Sequence, residues 1–243
     1  MAQPWTVLDR VDTDEGPLEL RRRGDGDVLL TVGGRILMSS RWHHSEVALA
    51  ERGCEGLSDR RSPSVLIGGL GLGYTLRAAL DLLPSRARVV VAELNPAVAR
   101  WCREHLGELN RHAVTDRRVE LRIEDVARTV GRAADGDDAG RFDAILFDLY
   151  RGPPPGRLSR DDPFYGDAMV RRVYGALRPG GRFAVWSEQP SLQFEKRLRA
   201  AGYTAVLSQP KRGGRHAVYV ATMHPRAGSP PVKRAPRRAR GSR

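Results

Sequence analysis

The chain has 243 residues, 40% of them apolar, and a formal charge of +12; that apolar share supports a buried core, and the length suits one α/β domain with an appendage or two small domains. Pro225–Arg243 holds seven Lys or Arg and no Asp or Glu, so the rest of the chain carries only +5, and the charge does not mark the folded part as a nucleic-acid binder. Two cysteines, Cys54 and Cys102, exclude a disulfide framework; Met1–Leu20 lacks the pattern of a secretory signal, no run approaches the roughly 18 apolar residues of a membrane span, and a soluble cytoplasmic protein is the expectation.

In chain order, residues 5–40 read as short strands. Leu18–Arg21 and Val28–Val32 flank a Gly24-Asp25-Gly26-Asp27 hairpin turn, and Gly33-Gly34 leads into Arg35–Met38. Ser45–Arg52 reads as a helix with Ser45 at its N-cap. From Ser64 the pattern alternates. Val65–Ile67 is a strand, Tyr74–Leu83 a helix, Arg88–Ala92 a strand, Pro96–Leu106 a helix, and Val119–Ile123 and Phe142–Phe147 are strands. Met169–Leu177 is a helix, Arg182–Trp186 a strand, Gln193–Ala201 a helix and Ala217–Ala221 a last strand. Strands alternating with helices predict a Rossmann-like, doubly wound, mainly parallel α/β sheet behind a small N-terminal antiparallel β region. The expected division is 1–60 for the β-hairpin region and linking helix, 61–224 for the nucleotide-binding domain, and 225–243 for a disordered basic tail.

The sharpest motif is Gly69-Leu70-Gly71-Leu72-Gly73, between a strand and a helix. Glycine lets a backbone turn tightly and approach a ligand where a Cβ would collide, and the helix behind offers unpaired N–H groups. Gly69, Gly71 and Gly73 are spaced G-x-G-x-G. The dinucleotide fingerprint would need glycine at Tyr74, which argues against an ordinary NAD site. Glu93 follows at the end of the next strand, where a carboxylate can accept both ribose hydroxyls of an adenosine. Asp125 follows the third strand of the alternating region, where it can meet the adenine edge.

Val65–Arg77 (VLIGGLGLGYTLR), Ala92–Val98 (AELNPAV), Glu124-Asp125, Phe142–Asp148 (FDAILFD), Phe164-Tyr165 and the Leu177–Gly181 turn resemble the class I methyltransferase fold. Within that fold they resemble the spermidine synthase family. The resemblance runs from about residue 28 to about 222. It implies that Glu93 holds the ribose, Asp125 the adenine amino group, and Asp148 acts as the catalytic aspartate. The donor it implies is decarboxylated S-adenosylmethionine or S-adenosylmethionine, with no metal. A carboxylate beside an amine acceptor can take its proton and stabilise developing cationic charge.

Departures bear on the other half of the site. Arg151 stands where the family has a second Asp, Leu72 where its glycine loop has an Asp, and Leu37 where it has a Gln. Trp42-His43-His44-Ser45-Glu46 approximates its Tyr-His-Glu signature in an open register. Candidate acceptor-pocket residues are His44, Glu46, Tyr150, Arg151, Tyr165 and Glu188, with Phe164 and Tyr165 either gating the site or packing. Leu72 and Arg151 together favour a carboxylate-bearing ligand over putrescine. The functional expectation is a transferase moving an aminopropyl or other alkyl group from the sulfonium donor to a small, amine acceptor. Its alternatives are a small-molecule methyltransferase and a non-catalytic adenosyl-binding domain. Expected partners are the small-molecule acceptor, a second copy in a homodimer, no membrane, and weak tail contacts with nucleic acid or acidic surfaces.

Overall fold

The computed structural model describes residues 3–24, 26–136, 141–208 and 216–224. The tail expected over 225–243 and the turn residue Asp25 lie outside the described residues. The first four strands, β1 (Thr6–Thr13), β2 (Gly16–Arg22), β3 (Val28–Val32) and β4 (Arg35–Ser39), form an antiparallel sheet in sequential order. Leu18, Leu20, Val28, Leu30 and Val32 are buried. They join the apolar cluster made by the helices beneath them.

Then come α1 (His44–Cys54), β5 (Ser64–Gly68), α2 (Tyr74–Leu82), β6 (Arg88–Glu93), α3 (Pro96–Glu104), β7 (Val119–Ile123), α4 (Val126–Asp135) and β8 (Phe142–Phe147). The chain continues through α5 (Asp167–Ala176), β9 (Leu177–Ser187), α6 (Leu192–Ala200), β10 (Tyr203–Ser208) and β11 (Ala217–Met223). The large sheet has seven strands in the order β10-β11-β9-β8-β5-β6-β7. β5 through β9 are mutually parallel, and β11 runs antiparallel to β9 and β10. The path reverses between β5 and β8. Ligands of open α/β sheets bind in the crevice that such a reversal opens at the strands' C-terminal ends.

β5 and β8 are buried throughout, as expected of central parallel strands covered on both faces. One face packs on α1, α2, α3 and the small sheet, the other on α4, α5 and α6. The expected α/β architecture with an antiparallel appendage is what the chain adopts. Two elements go beyond the sequence reading: α4 and β10 are regular, though no helix or strand is read there, while β1 falls within the 5–40 span read as short strands. The Leu177–Gly181 turn is also part of β9. Gly180 takes φ +75° and the register against β8 slips between Phe142 and Ala144, so a bulge absorbs the turn-forming residues. Among the described residues no helix is long and apolar enough to cross a membrane.

Candidate active site

The glycine loop leaves β5 at the reversal point. Gly69, Gly71 and Gly73 all have positive φ, at 88°, 51° and 85°. A Cβ on Gly69 would lie 2.3 Å from the carbonyl oxygen of Asp148, and one on Gly71 would lie 2.1 Å from the Met38 Sδ of β4. Glycine is therefore required at Gly69 by the approach of the β8 backbone, and at all three positions by the turn itself. Gly69 N–H donates to the Ala92 carbonyl at 2.9 Å and Leu70 N–H to Glu93 Oε2 at 2.8 Å.

Glu93 ends β6 and is buried. Its other oxygen accepts from Asn95 N–H at 2.8 Å. Burial pushes its carboxyl upward, while backbone hydrogen bonds from Asn95, Leu70, Gly71 and Leu94 pull it back. Asp125 is the N-cap of α4, its Oδ1 accepting from Ala127 N–H at 2.8 Å. Leu94 and Ile123, at the ends of β6 and β7, are 71% and 48% exposed. Glu93 pairs in register with Ile123. Two apolar side chains thus stand in solvent beside the acid proposed for a ribose, a suitable platform for a flat base. Sequence reasoning missed them; for Leu94 the signal was an apolar residue one step past the last buried position of β6.

Asp148 follows β8 directly, and its N–H donates to the Gly68 carbonyl at 2.9 Å. Its Oδ2 accepts from the Thr75 hydroxyl of α2 at 2.6 Å. Burial raises its proton affinity most, the negative charges of Glu46 and Glu93 add to that, and the Thr75 hydrogen bond opposes it. The carboxyl is pushed up to about 7. The structure resolves the register of residues 42–46. His43 precedes α1 and stacks on Tyr74 at 4.0 Å; His44 is exposed, stacked on His43 at 5.5 Å; Glu46 turns inward and is buried. Glu46 Oε2 accepts from the Ser45 hydroxyl at 2.6 Å. The His216 Nδ1 lies 3.1 Å from that hydroxyl oxygen. The hydroxyl's single hydrogen is committed to Glu46, so His216 is the donor. Burial, then the Glu46 charge, pushes the Tyr74 phenol up to about 12. Thr75, Ser45 and His216 are further residues that the sequence reading did not assign to the site.

The remaining candidates lie around this centre. Tyr150 and Arg151 are exposed on the rim, where both bond Glu15 of the small sheet's first turn, at 2.7 and 3.0 Å. Arg35 donates to the Tyr150 hydroxyl at 2.7 Å. The Arg151 guanidinium thus points to Glu15 and Tyr150, which corrects the expectation that it supplies a pocket cation. Tyr165 is buried, donates to the Arg151 carbonyl at 2.6 Å and packs edge-on against Phe194 at 5.5 Å. It braces the loop after β8 from behind. Glu188 is exposed just past β9, and Leu72 is fully buried in the core. The glycine loop, Glu93, Asp148 and Glu46 converge, whereas His44, Tyr150, Arg151 and Glu188 are peripheral. Cys54 and Cys102 are buried thiols pushed up to about 12, which makes them inert.

No family model matches the chain. Over 125 residues it is 36% identical to polyamine aminopropyltransferase 2 of Pseudomonas aeruginosa, covering 50% of this chain and 32% of that protein. Over 192 residues it is 32% identical to the polyamine aminopropyltransferase of Mycobacterium tuberculosis, covering 75% of this chain and 34% of that protein. The chain is a sequence relative of the spermidine synthase family. It spans about a third of the length of these curated relatives. In fold it is similar to spermidine synthase from Thermotoga maritima, with a TM-score of 0.67 at 18% identity over 89% of this chain and 72% of that one. It is also similar to human methyltransferase-like protein 13 in complex with SAH, with a TM-score of 0.58 at 20% identity over 76% and 84% of the two chains.

Proposed function

We propose that this chain transfers an aminopropyl group from decarboxylated S-adenosylmethionine to a small amine. The observation that carries this reading is Asp148, half-buried beside the glycine loop next to the buried Glu46, with its carboxyl pushed up to about 7. An amine acceptor arrives as an ammonium ion. A base that titrates near the working pH can take its proton and still be regenerated. The freed nitrogen attacks the donor's methylene carbon next to sulfur, and the carbon–sulfur electron pair returns to sulfur. The sulfonium becomes a neutral thioether, and the positive charge passes to the new secondary amine beside Asp148. Glu93 and the loop N–H groups hold the adenosine end, with Leu94 and Ile123 against the base and Asp125 at its edge. The division at about residue 60 is part of the same reading, with the small sheet covering a catalytic domain.

The decarboxylated donor is assigned because Asp148, Glu46 and Glu93 gather negative charge, while the Arg151 cation is turned toward Glu15. A donor carboxylate would meet repulsion there. One observation favours a second reading, methyl transfer from S-adenosylmethionine: Leu72 is buried where an acid would meet the donor's ammonium. A donor-by-acceptor matrix read by product mass separates the two. Aminopropyl adducts on small amines from the decarboxylated donor are the expected products. Methylated products alone, or no transfer from either donor, would overturn the proposal.

A further inference from the structure

Buried acids are expensive unless something fixes them, and Glu46 is fixed by a built arrangement. It sits in the first turn of α1, which packs against α2, β8, β9 and β11. The Ser45 hydroxyl donates to it, and His216, just before β11, donates to that hydroxyl. The other end of the arrangement is Asp148. The Thr75 hydroxyl that bonds its carboxylate lies 3.3 Å from the Glu46 carbonyl, so one side chain registers α1 against the end of β8. Arg151 cannot supply a compensating charge, because it is held at the rim by Glu15 and Tyr150.

We propose that Glu46, anchored by Ser45 and His216, is the site's second acid. It is a substrate-binding residue that supplies the negative charge that a diamine needs and that Arg151 does not. This rests on the aminopropyl-transfer reading. A diamine brings two ammonium groups. Asp148 takes the proton of the reacting one, and Glu46 balances the cation that remains. In the free protein burial, and then the Glu46 charge, raise the proton affinity of the Asp148 carboxyl. Entry of a diamine replaces the Asp148 proton with the ligand's own charge. Other groups facing Asp148 are Glu93 at the end of β6, Tyr74 and Thr75 on α2, Tyr165 behind the loop and His216 before β11. Of these, Glu93 adds to the same negative field. Ser45 and His216 act one step further out. Their hydrogen bonds fix the Glu46 carboxyl in place, and its charge adds to the burial that keeps a proton on Asp148.

The test is carboxyl carbon-13 NMR on the full chain with labelled Asp and Glu, without donor or acceptor. Resonances are assigned from Asp148→Asn and Glu46→Gln. The Asp148 resonance should titrate near pH 7 in the parent chain. It should move down by about one unit or more in Glu46→Gln. Ser45→Ala and His216→Asn should loosen the hold on Glu46 and move the Asp148 midpoint down by less. Should Glu46→Gln fail to fold, Ser45→Ala supplies the same readout. An Asp148 midpoint unchanged in folded variants overturns the proposal. A second arm measures transfer to a diamine and to a monoamine of equal length. Glu46→Gln should raise KM for the diamine roughly tenfold more than for the monoamine, and equal changes overturn the second-acid role. Absence of transfer in the parent chain would instead sink the functional reading and leave the titration result standing.

Discussion

A carboxyl group that keeps its proton up to about pH 7 in the folded chain, against an ordinary 3.8, costs stability once the unfolded chain ionises first. For Asp148 the folded state binds more protons than the unfolded state between those two values. Stability therefore falls as pH rises through that window, and the loss is complete above about 7. At one unit per 1.36 kcal/mol the penalty is on the order of 4 kcal/mol. Asp148→Asn should accordingly stabilise the chain by that amount at pH 8 and leave it nearly unchanged at pH 3. Transfer should fall by roughly 100- to 10,000-fold with loss of the base. Urea denaturation at the two pH values checks it, and an equal stability change at both would show that Asp148 ionises normally. Glu93 was a candidate in the sequence because it stands at the end of an apolar run, where the parallel-sheet pattern predicts the ligand edge, and Asp148 because the family resemblance implied it. Thr75, Ser45 and His216 were not. They come from α2, α1 and the start of β11, and no spacing along the chain announces that three separate elements meet. Glu46 was legible as a candidate, but only helix α1 shows which of residues 42–46 turn inward.

Elements were readable where periodicity was strong and hidden where polar residues break it. β5, β6 and β8 are uniform apolar runs, and each was placed within a residue or two of its observed bounds. α4 carries Val126, Thr129, Val130 and Ala133 on its buried side, a helical spacing interrupted by Gly131. That glycine sits where the Arg172 guanidinium of α5 comes within 3.0 Å of any added Cβ, so packing outweighs propensity there. β1 alternates half-buried and exposed residues on a sheet edge, a weak signal in a charged stretch. The glycine loop is the element in which sequence and packing agree most closely. Gly69 combines φ +88° with backbone contact from Asp148, and neither can yield. Gly69→Ala should cost about 2–4 kcal/mol, combining left-handed strain with overpacking. It should also shift Asp148, so the loss of transfer should exceed the loss expected from stability alone. The measurement pairs the denaturation midpoint with transfer rate at a temperature where the variant remains folded. A variant that is fully stable would show that the loop relaxes around the new methyl group.

At the scale of the whole molecule, the small sheet is fastened to the large domain along one line. Asp9 of β1 accepts from the Trp101 indole N–H of α3 at 2.6 Å and from Arg100 at 2.5 Å. Arg22 of β2 donates to the His105 carbonyl at 2.8 Å. Met38 lies on Gly71, and Glu15 meets Tyr150 and Arg151 at the rim. The sheet that reads as a separate N-terminal region therefore covers the glycine loop. The Trp101 hydrogen bond, followed by that of Arg100, lowers the Asp9 carboxyl to about 2. Its contribution is present above the ordinary value of 3.8 and disappears as pH falls through about 2. The Trp101 indole N–H resonance should report that midpoint directly, apart from other acids that titrate nearby. Asp9→Asn keeps the shape and removes the charge that both donors address. It should raise amide exchange in β1 and β2 at neutral pH and weaken adenosyl-ligand affinity several-fold, since Met38 would no longer be held over the loop. Hydrogen exchange and calorimetry on the same protein test the two halves. Faster exchange with unchanged affinity would mean that the sheet covers the site without helping to form it.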